Sequence, residues 1–285
     1  MMTSATELHQ AQIANWDGPM GDVWAASAAR TDKALAGVSA ALFRMADVEP
    51  GEVVLDVGCG GGATTEQLAM DVGSTGRVVG LDVSKTLIAL AEKRLDGTGQ
   101  AEFIQADAST VAFPKPMFDV LFSRFGVMFF GDPVAAFANL HKAMKPEGRL
   151  AFACWRATSE NPWVSVPLRA AMTVVPPFAR PGPEEPGPFA FGDDARVARI
   201  LTEAGFSAPK FKQFDFTMNY DGEGMTAAQA VCGGGVGPLE RILRDQPDDV
   251  KAKALAVLAE ALVPFTADGM VKLPASVWLV SASVS

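Results

Sequence analysis

The stretch Val53-Val54-Leu55-Asp56-Val57-Gly58-Cys59-Gly60-Gly61-Gly62 decides how this chain is read. A short, nearly continuous apolar run of β-branched residues reads as a strand covered on both faces. The glycines that end it let the backbone turn tightly and approach another group without a Cβ in the way. A helix from about Ala63 to Asp71 follows. The same alternation recurs downstream, with strands at Arg77–Val83, Glu102–Ala106, Phe118–Ser123 and Arg149–Trp155. Ser84 is placed to cap the helix that runs to Leu95, its hydroxyl accepting from an otherwise unpaired amide. A helix to about Met144 follows the fourth strand, and Pro146-Glu147-Gly148 is a turn before the fifth.

Strands alternating with helices require right-handed crossovers, hence α/β architecture with a doubly wound, mostly parallel sheet. Two later runs, Lys210–Met218 and Ser276–Val284, bring the sheet to seven strands, a Rossmann-like fold with helical cap insertions. Working outward, residues 1–50 read as an N-terminal helical arm. Its amphipathic run Thr31–Met45 places Leu35, Val38, Leu42 and Phe43 on one face. Residues 51–155 form the core, and 156–192 form a Pro-rich, irregular excursion holding many of the nineteen prolines. Residues 193–285 complete the sheet around a helical insertion at about 225–268, with Asp194–Ala204 a helix stopped by Gly205. The arm and the two excursions are expected to cap a site at the sheet edge.

The chain has 285 residues, 49% of them hydrophobic and 20% charged, which is enough to build a sizeable core. Its formal net charge of −9 and scattered basic residues argue against a nucleic acid partner. Three cysteines at 59, 154 and 232, with two histidines, make neither a disulfide framework nor a metal-ligand cluster. The reading is a cytoplasmic protein acting on a small-molecule substrate, with no bound metal. No apolar stretch is long enough for membrane insertion. The apolar residues of the late helical insertion suit a homodimer contact as well as a pocket.

In an open parallel sheet, ligands bind beyond the carboxyl ends of the strands, and the first strand-to-helix turn lies there. Twenty residues past Gly62, Asp82 ends the second strand, where a carboxylate accepts both hydrogen bonds of a ribose diol. Gly58-Cys59-Gly60-Gly61-Gly62-Ala63 also fits the dinucleotide pattern G-x-G-x-x-[G/A], so the glycines alone do not choose a cofactor. Asp56, two residues before the first glycine, would repel a pyrophosphate but favours a cationic ligand such as S-adenosylmethionine (SAM). About fifty residues precede the first strand, and the last strand follows a late helical insertion; both features also favour SAM. An NAD(P)-dependent oxidoreductase remains the alternative, although Tyr220 is the only tyrosine and no Tyr-x-x-x-Lys pair exists. A non-catalytic SAM-binding protein is the third reading.

Val54–Gly62 resembles motif I of the class I SAM-dependent methyltransferases, and Gly80-Leu81-Asp82-Val83-Ser84 resembles motif II. Gln105-Ala106-Asp107-Ala108, Phe118–Arg124 and Lys145–Leu150 are similar to the motifs that follow, in order. Within that class the chain looks closest to the ubiquinone/menaquinone-biosynthesis-like group. Ser123-Arg124-Phe125-Gly126-Val127-Met128-Phe129-Phe130 departs from the Asn- and His-containing stretch usual after the fourth strand, so the resemblance does not extend to the acceptor.

The resemblance implies that Gly58 and Gly60 line the methionine part of SAM and that Asp56 orients its ammonium, directly or through water. Asp82, followed by Val83, would hold the ribose hydroxyls. Asp107 would take the adenine amino group, with Ala108 packed on the ring. Ser123 and Arg124 end the fourth strand where the methyl group should point. Arg124 is read either as an anion site or as one half of a structural ion pair. Trp24, with Trp16, would shield the sulfonium from the arm or simply pack it. His9 and His141 are not read as catalytic bases, and no catalytic residue is identified.

Overall fold

The computed structural model describes residues 5–177, 182, 184–232 and 238–284. The sequence's central alternation is realised as β1 (Val53–Val57), α4 (Ala63–Val72), β2 (Arg77–Asp82), α5 (Lys85–Arg94), β3 (Ala101–Gln105), β4 (Phe118–Arg124), α6 (Pro133–His141) and β5 (Met144–Trp155). Three helices precede them: α1 (Ala5–Trp16), α2 (Pro19–Ala34) and α3 (Ala36–Ala46). After them come α7 (Pro162–Ala171), α8 (Asp194–Glu203), β6 (Phe206–Asp221), α9 (Gly224–Cys232), α10 (Pro238–Arg244), α11 (Asp248–Leu262), β7 (Thr266–Ala267) and β8 (Met270–Val284).

The sheet runs β3-β2-β1-β4-β5-β8-β6, with β7 a two-residue partner of β8. β1 to β5 are parallel. β8 lies antiparallel between β5 and β6. The seven expected strands are all present, and β7 is the one addition. The order reverses between β1 and β4, and that switch point opens a crevice beyond the strand ends. Val54, Leu55, Val78, Val120, Leu121, Phe122 and Phe152 are almost wholly buried, as strands covered on both faces require.

Four local features differ from the sequence reading. The amphipathic run 31–45 is split at Leu35, which ends α2 and starts α3; Leu35, Val38 and Leu42 still face the core. The turn at 146–148 lies inside β5, a four-residue excursion between the pairs Phe118↔Met144 and Val120↔Arg149, with Glu147 at φ +65. The Pro-rich excursion contains the helix α7, because Pro162 sits in the first turn, where a missing N–H costs nothing. The rest of that excursion includes 178–181 and 183, outside the described residues, as is 233–237 of the late insertion. Ser84 Oγ accepts from Leu87 N, and Gly205 takes φ +102 after α8, both as the sequence indicates.

Among the described residues, no helix is long and apolar enough to cross a membrane. The late helices pack away from the crevice, α11 on α7 and α9, and α9 on β6.

Candidate functional site

A cavity lies at the switch point, and each of the five parallel strands delivers part of its wall from its carboxyl end. β1 gives Val57 and the loop Gly58–Gly61; β2 gives Asp82 and Val83; β3 gives Ala106, Asp107 and Ala108. β4 gives Arg124 and Phe125, and β5 gives Trp155. The arm closes the other side, with His9, Gln12, Ile13 and Trp16 from α1 and Trp24, Ala28 and Asp32 from α2. Its volume, open mouth included, is about 1240 Å³.

The glycine loop is shaped by close backbone approach. Gly58 (φ +67) and Gly60 (φ +54) are left-handed, and Gly58 N donates to Leu81 O at 2.7 Å. A Cβ on Gly58 would lie 2.7 Å from Gly126 Cα, so the loops after β1 and β4 meet glycine against glycine. A Cβ on Gly60 would instead project toward Trp24, with Nε1 at 3.9 Å, into the space a ligand would use. Phe125 holds φ +66, a conformation costing a non-glycine residue about 1–2 kcal/mol. Its N–H bond to Ala153 O and its stack on Trp155, 4.6 Å between centroids, hold it there.

Asp82 is held by its neighbours: Gly60 N donates to one carboxylate oxygen and Ser84 N to the other, each at 2.9 Å. Desolvation pushes its carboxyl above the ordinary value, against the pull of the N–H bonds from Ser84, Gly60 and Val83.

Asp107 is tied to the arm. His9 Nε2 lies 2.8 Å from its Oδ2, Ser109 Oγ donates to the same oxygen at 2.6 Å, and Ser109 N donates to Oδ1 at 2.9 Å. Burial alone would raise the Asp107 carboxyl; the bonds from Ser109 and His9 outweigh it and hold the carboxyl below its ordinary value. Gly131 N donates to His9 Nδ1 at 3.4 Å, on the side of the ring opposite Asp107. With both nitrogens engaged, His9 latches α1 to the sheet edge.

Two expected contacts are not in the wall. Asp56 is fully buried, and its Oδ2 accepts from Thr64 Oγ1 at 2.7 Å and Thr65 Oγ1 at 2.8 Å. Through Oδ2 it secures the start of α4 behind the glycine loop, while its buried Oδ1 has no partner among the described residues. Desolvation raises its carboxyl to about 6, partly offset by the two threonines and by Arg124. Ser123 is also fully buried; Oγ donates to Val57 O at 2.7 Å and accepts from Gly126 N at 3.2 Å. It pins the two glycine loops together. Removing it in Ser123→Ala leaves a buried carbonyl and an amide short of a partner. Stability to urea should fall by about 1–2 kcal/mol, and an unchanged midpoint would deny Ser123 that role.

Arg124 does make the ion pair, Nη2 donating to Asp32 Oδ1 at 2.7 Å and Nη1 to Ser39 Oγ at 2.9 Å, while still lining the cavity. Arg94 shares Asp32 from the far side at 3.2 Å. Trp24 meets Trp16 edge-on at 5.8 Å, and Trp16 meets Phe129 at 4.9 Å, making an aromatic roof. The sequence reading missed Trp155, which ends a strand as Asp82 does and was findable on that ground. It also missed His9 and Asp32, for which no local pattern exists.

Residues 55–152 match the family model described as a methyltransferase domain. Residues 55–152 thus carry a methyltransferase domain. This decides between the two cofactor classes that the glycine loop left open. Over 179 residues the chain is 31% identical to nocamycin O-methyltransferase of Saccharothrix syringae, covering 59% of this chain and 64% of that protein. It is 33% identical to the ubiquinone/menaquinone biosynthesis C-methyltransferase of an Enterobacter species, covering 36% of this chain and 42% of that one. The match thus spans less than two thirds of either relative. The fold is shared with phosphoethanolamine N-methyltransferase 2 of Haemonchus contortus, solved with SAM, at a TM-score of 0.56 and 15% identity, covering 100% of this chain and 60% of that one.

Proposed function

We propose that the protein transfers a methyl group from SAM to a small apolar or aromatic molecule by in-line displacement. The observation that carries this is the cavity itself. It combines left-handed glycines, two oriented carboxylates on adjacent strand ends and an aromatic roof in one open cavity. The lining fits the cofactor: Gly60 presents backbone where a Cβ would intrude, and Asp82 offers an acceptor to each hydroxyl of a ribose.

When bound, SAM supplies a methyl group already activated on a sulfonium. The protein's part is then alignment and exclusion of water. Gly58 and Gly60 bring backbone against the methionine portion, Asp82 accepts from the ribose, and Val83 and Ala108 flank the adenine. Asp107 keeps a lone pair on Oδ1 for the adenine amino group while His9 occupies Oδ2. Trp24 and Trp16 exclude water from the sulfonium and favour its charge through their ring faces. Residues 1–50 act as the cap. Three free cysteines and an acidic composition suit a cytoplasmic enzyme.

Isothermal calorimetry with SAM and with NADH tests this reading. The expected result is SAM binding at tens of micromolar or tighter and none for NADH. Absence of SAM binding, or preference for the nicotinamide, would overturn it.

A further inference from the structure

Arg124 is the one Lys or Arg side chain in the cavity wall among the described residues. A guanidinium carries five N–H donors, and Arg124 directs two of them to protein, at Asp32 and Ser39. Asp32 fixes its orientation and is itself shared with Arg94, and the buried Asp56 carboxyl also feels the Arg124 charge. Arg124 therefore sits rigid, mostly buried and with donors to spare, where β4 ends beside the stacked pair Phe125 and Trp155.

Proton acceptors are scarce in the same wall. His9, its only histidine, has both nitrogens engaged by Asp107 and Gly131. Asp82 and Asp107 are committed to backbone amides on the β2 and β3 side. Among the described wall residues beside β4 the carboxylate is Asp32, and it is held by Arg124 and Arg94.

We infer that Arg124 is an anion site and that the acceptor is an acidic aromatic or enolic hydroxyl which binds already ionised. Its ring lies along Phe125, Trp155 and Met128, and its oxyanion faces Arg124. This rests on the methyl-transfer reading and narrows its substrate class. The acceptor leaves its proton in bulk solvent before entering. Its oxyanion (or the conjugate carbanion of an enolate) donates an electron pair to form the new bond to the methyl carbon. The carbon–sulfur pair returns to sulfur, the acceptor's negative charge and the sulfonium's positive charge disappear together, and no protein group changes protonation. Placing an anion between a fixed guanidinium and a sulfonium in a water-poor cavity favours its capture over a neutral analogue.

The test uses the full chain saturated with S-adenosylhomocysteine and an unreactive probe pair of one shape, 2-naphthoate and 2-naphthamide, titrated by calorimetry. Wild type is expected to prefer the carboxylate at least tenfold. Arg124→Met should erase the preference, and Arg124→Lys should retain part of it. Equal binding of the probes to wild type, failure of both to bind at millimolar concentration, or a preference that survives Arg124→Met would overturn the inference. A tenfold loss of S-adenosylhomocysteine affinity in Arg124→Met with probe preference unchanged would also overturn it, giving the arginine to the cofactor's carboxylate. If wild type fails to bind S-adenosylhomocysteine at all, the cofactor reading falls. The probe preference, measured without it, still tests the anion site.

Discussion

Asp82→Ala should bind SAM about 100-fold more weakly than wild type, a loss of about 2.8 kcal/mol. Hydrogen bonds to an ionised group contribute about 1.5–3 kcal/mol each. A ribose offers two hydroxyls to this carboxylate, and entering water would recover part of the loss. Asp82 also receives Gly60 N and Ser84 N, so the variant must be checked by thermal unfolding without ligand, to separate a lost contact from a loosened loop. Asp82→Asn keeps one acceptor and should lose about tenfold. A cofactor analogue lacking the 2′-hydroxyl should lose less in the variant than in wild type, because the partner group is already gone. Undiminished binding in Asp82→Ala would remove the ribose role.

The second large effect is a pH dependence of stability set by Asp56. Its carboxyl is raised to about 6 from an ordinary 3.8, chiefly by desolvation. Above pH 6 the group is charged in both the folded and unfolded chain, and the folded state bears the cost of burying that charge. As pH falls through 6 the folded protein takes up the proton first. Wild type therefore gains stability from this group down to about pH 4, where the unfolded chain protonates too. At about 1.36 kcal/mol per unit the full swing is ~3 kcal/mol. Asp56→Asn cannot titrate, so its stability relative to wild type should fall by ~3 kcal/mol between pH 7 and pH 4. Urea denaturation of both proteins across that range reads the difference, in which the other carboxylates cancel. Parallel curves would show that Asp56 is not held as a buried, desolvated acid.

β1 and β2 were the most legible strands, short apolar runs stopped by Gly58 and Asp82, and their carboxyl ends located the site. The identity of the wall was half legible. Successive side chains on a strand point to opposite faces. Asp56 and Val57 therefore part company at the end of β1, as do Ser123 and Arg124 at the end of β4; the second of each pair lines the cavity and the first does not. Sequence marks where a strand ends, but not which of its last two side chains turns toward the ligand. His9 was unreadable for another reason. Its partner Asp107 is 98 residues away, and only the docking of α1 onto the end of β3 brings them together. The break at Leu35 was hidden because Leu35, Val38 and Leu42 keep helical spacing on the buried side.

β8 is the last strand in the chain, yet it lies inside the sheet, hydrogen-bonded on one side to β5 and on the other to β6. During synthesis β6 emerges with no neighbour to pair with, and β5 waits with one edge bare. The half-sheet β3-β2-β1-β4-β5 can assemble as it leaves the ribosome, but the sheet closes only when residues 270–284 thread between two strands already made. Exposed strand edges in that interval are the kind that recruit other chains. Pairing of β8 is thus the step that covers the open edges of both β5 and β6.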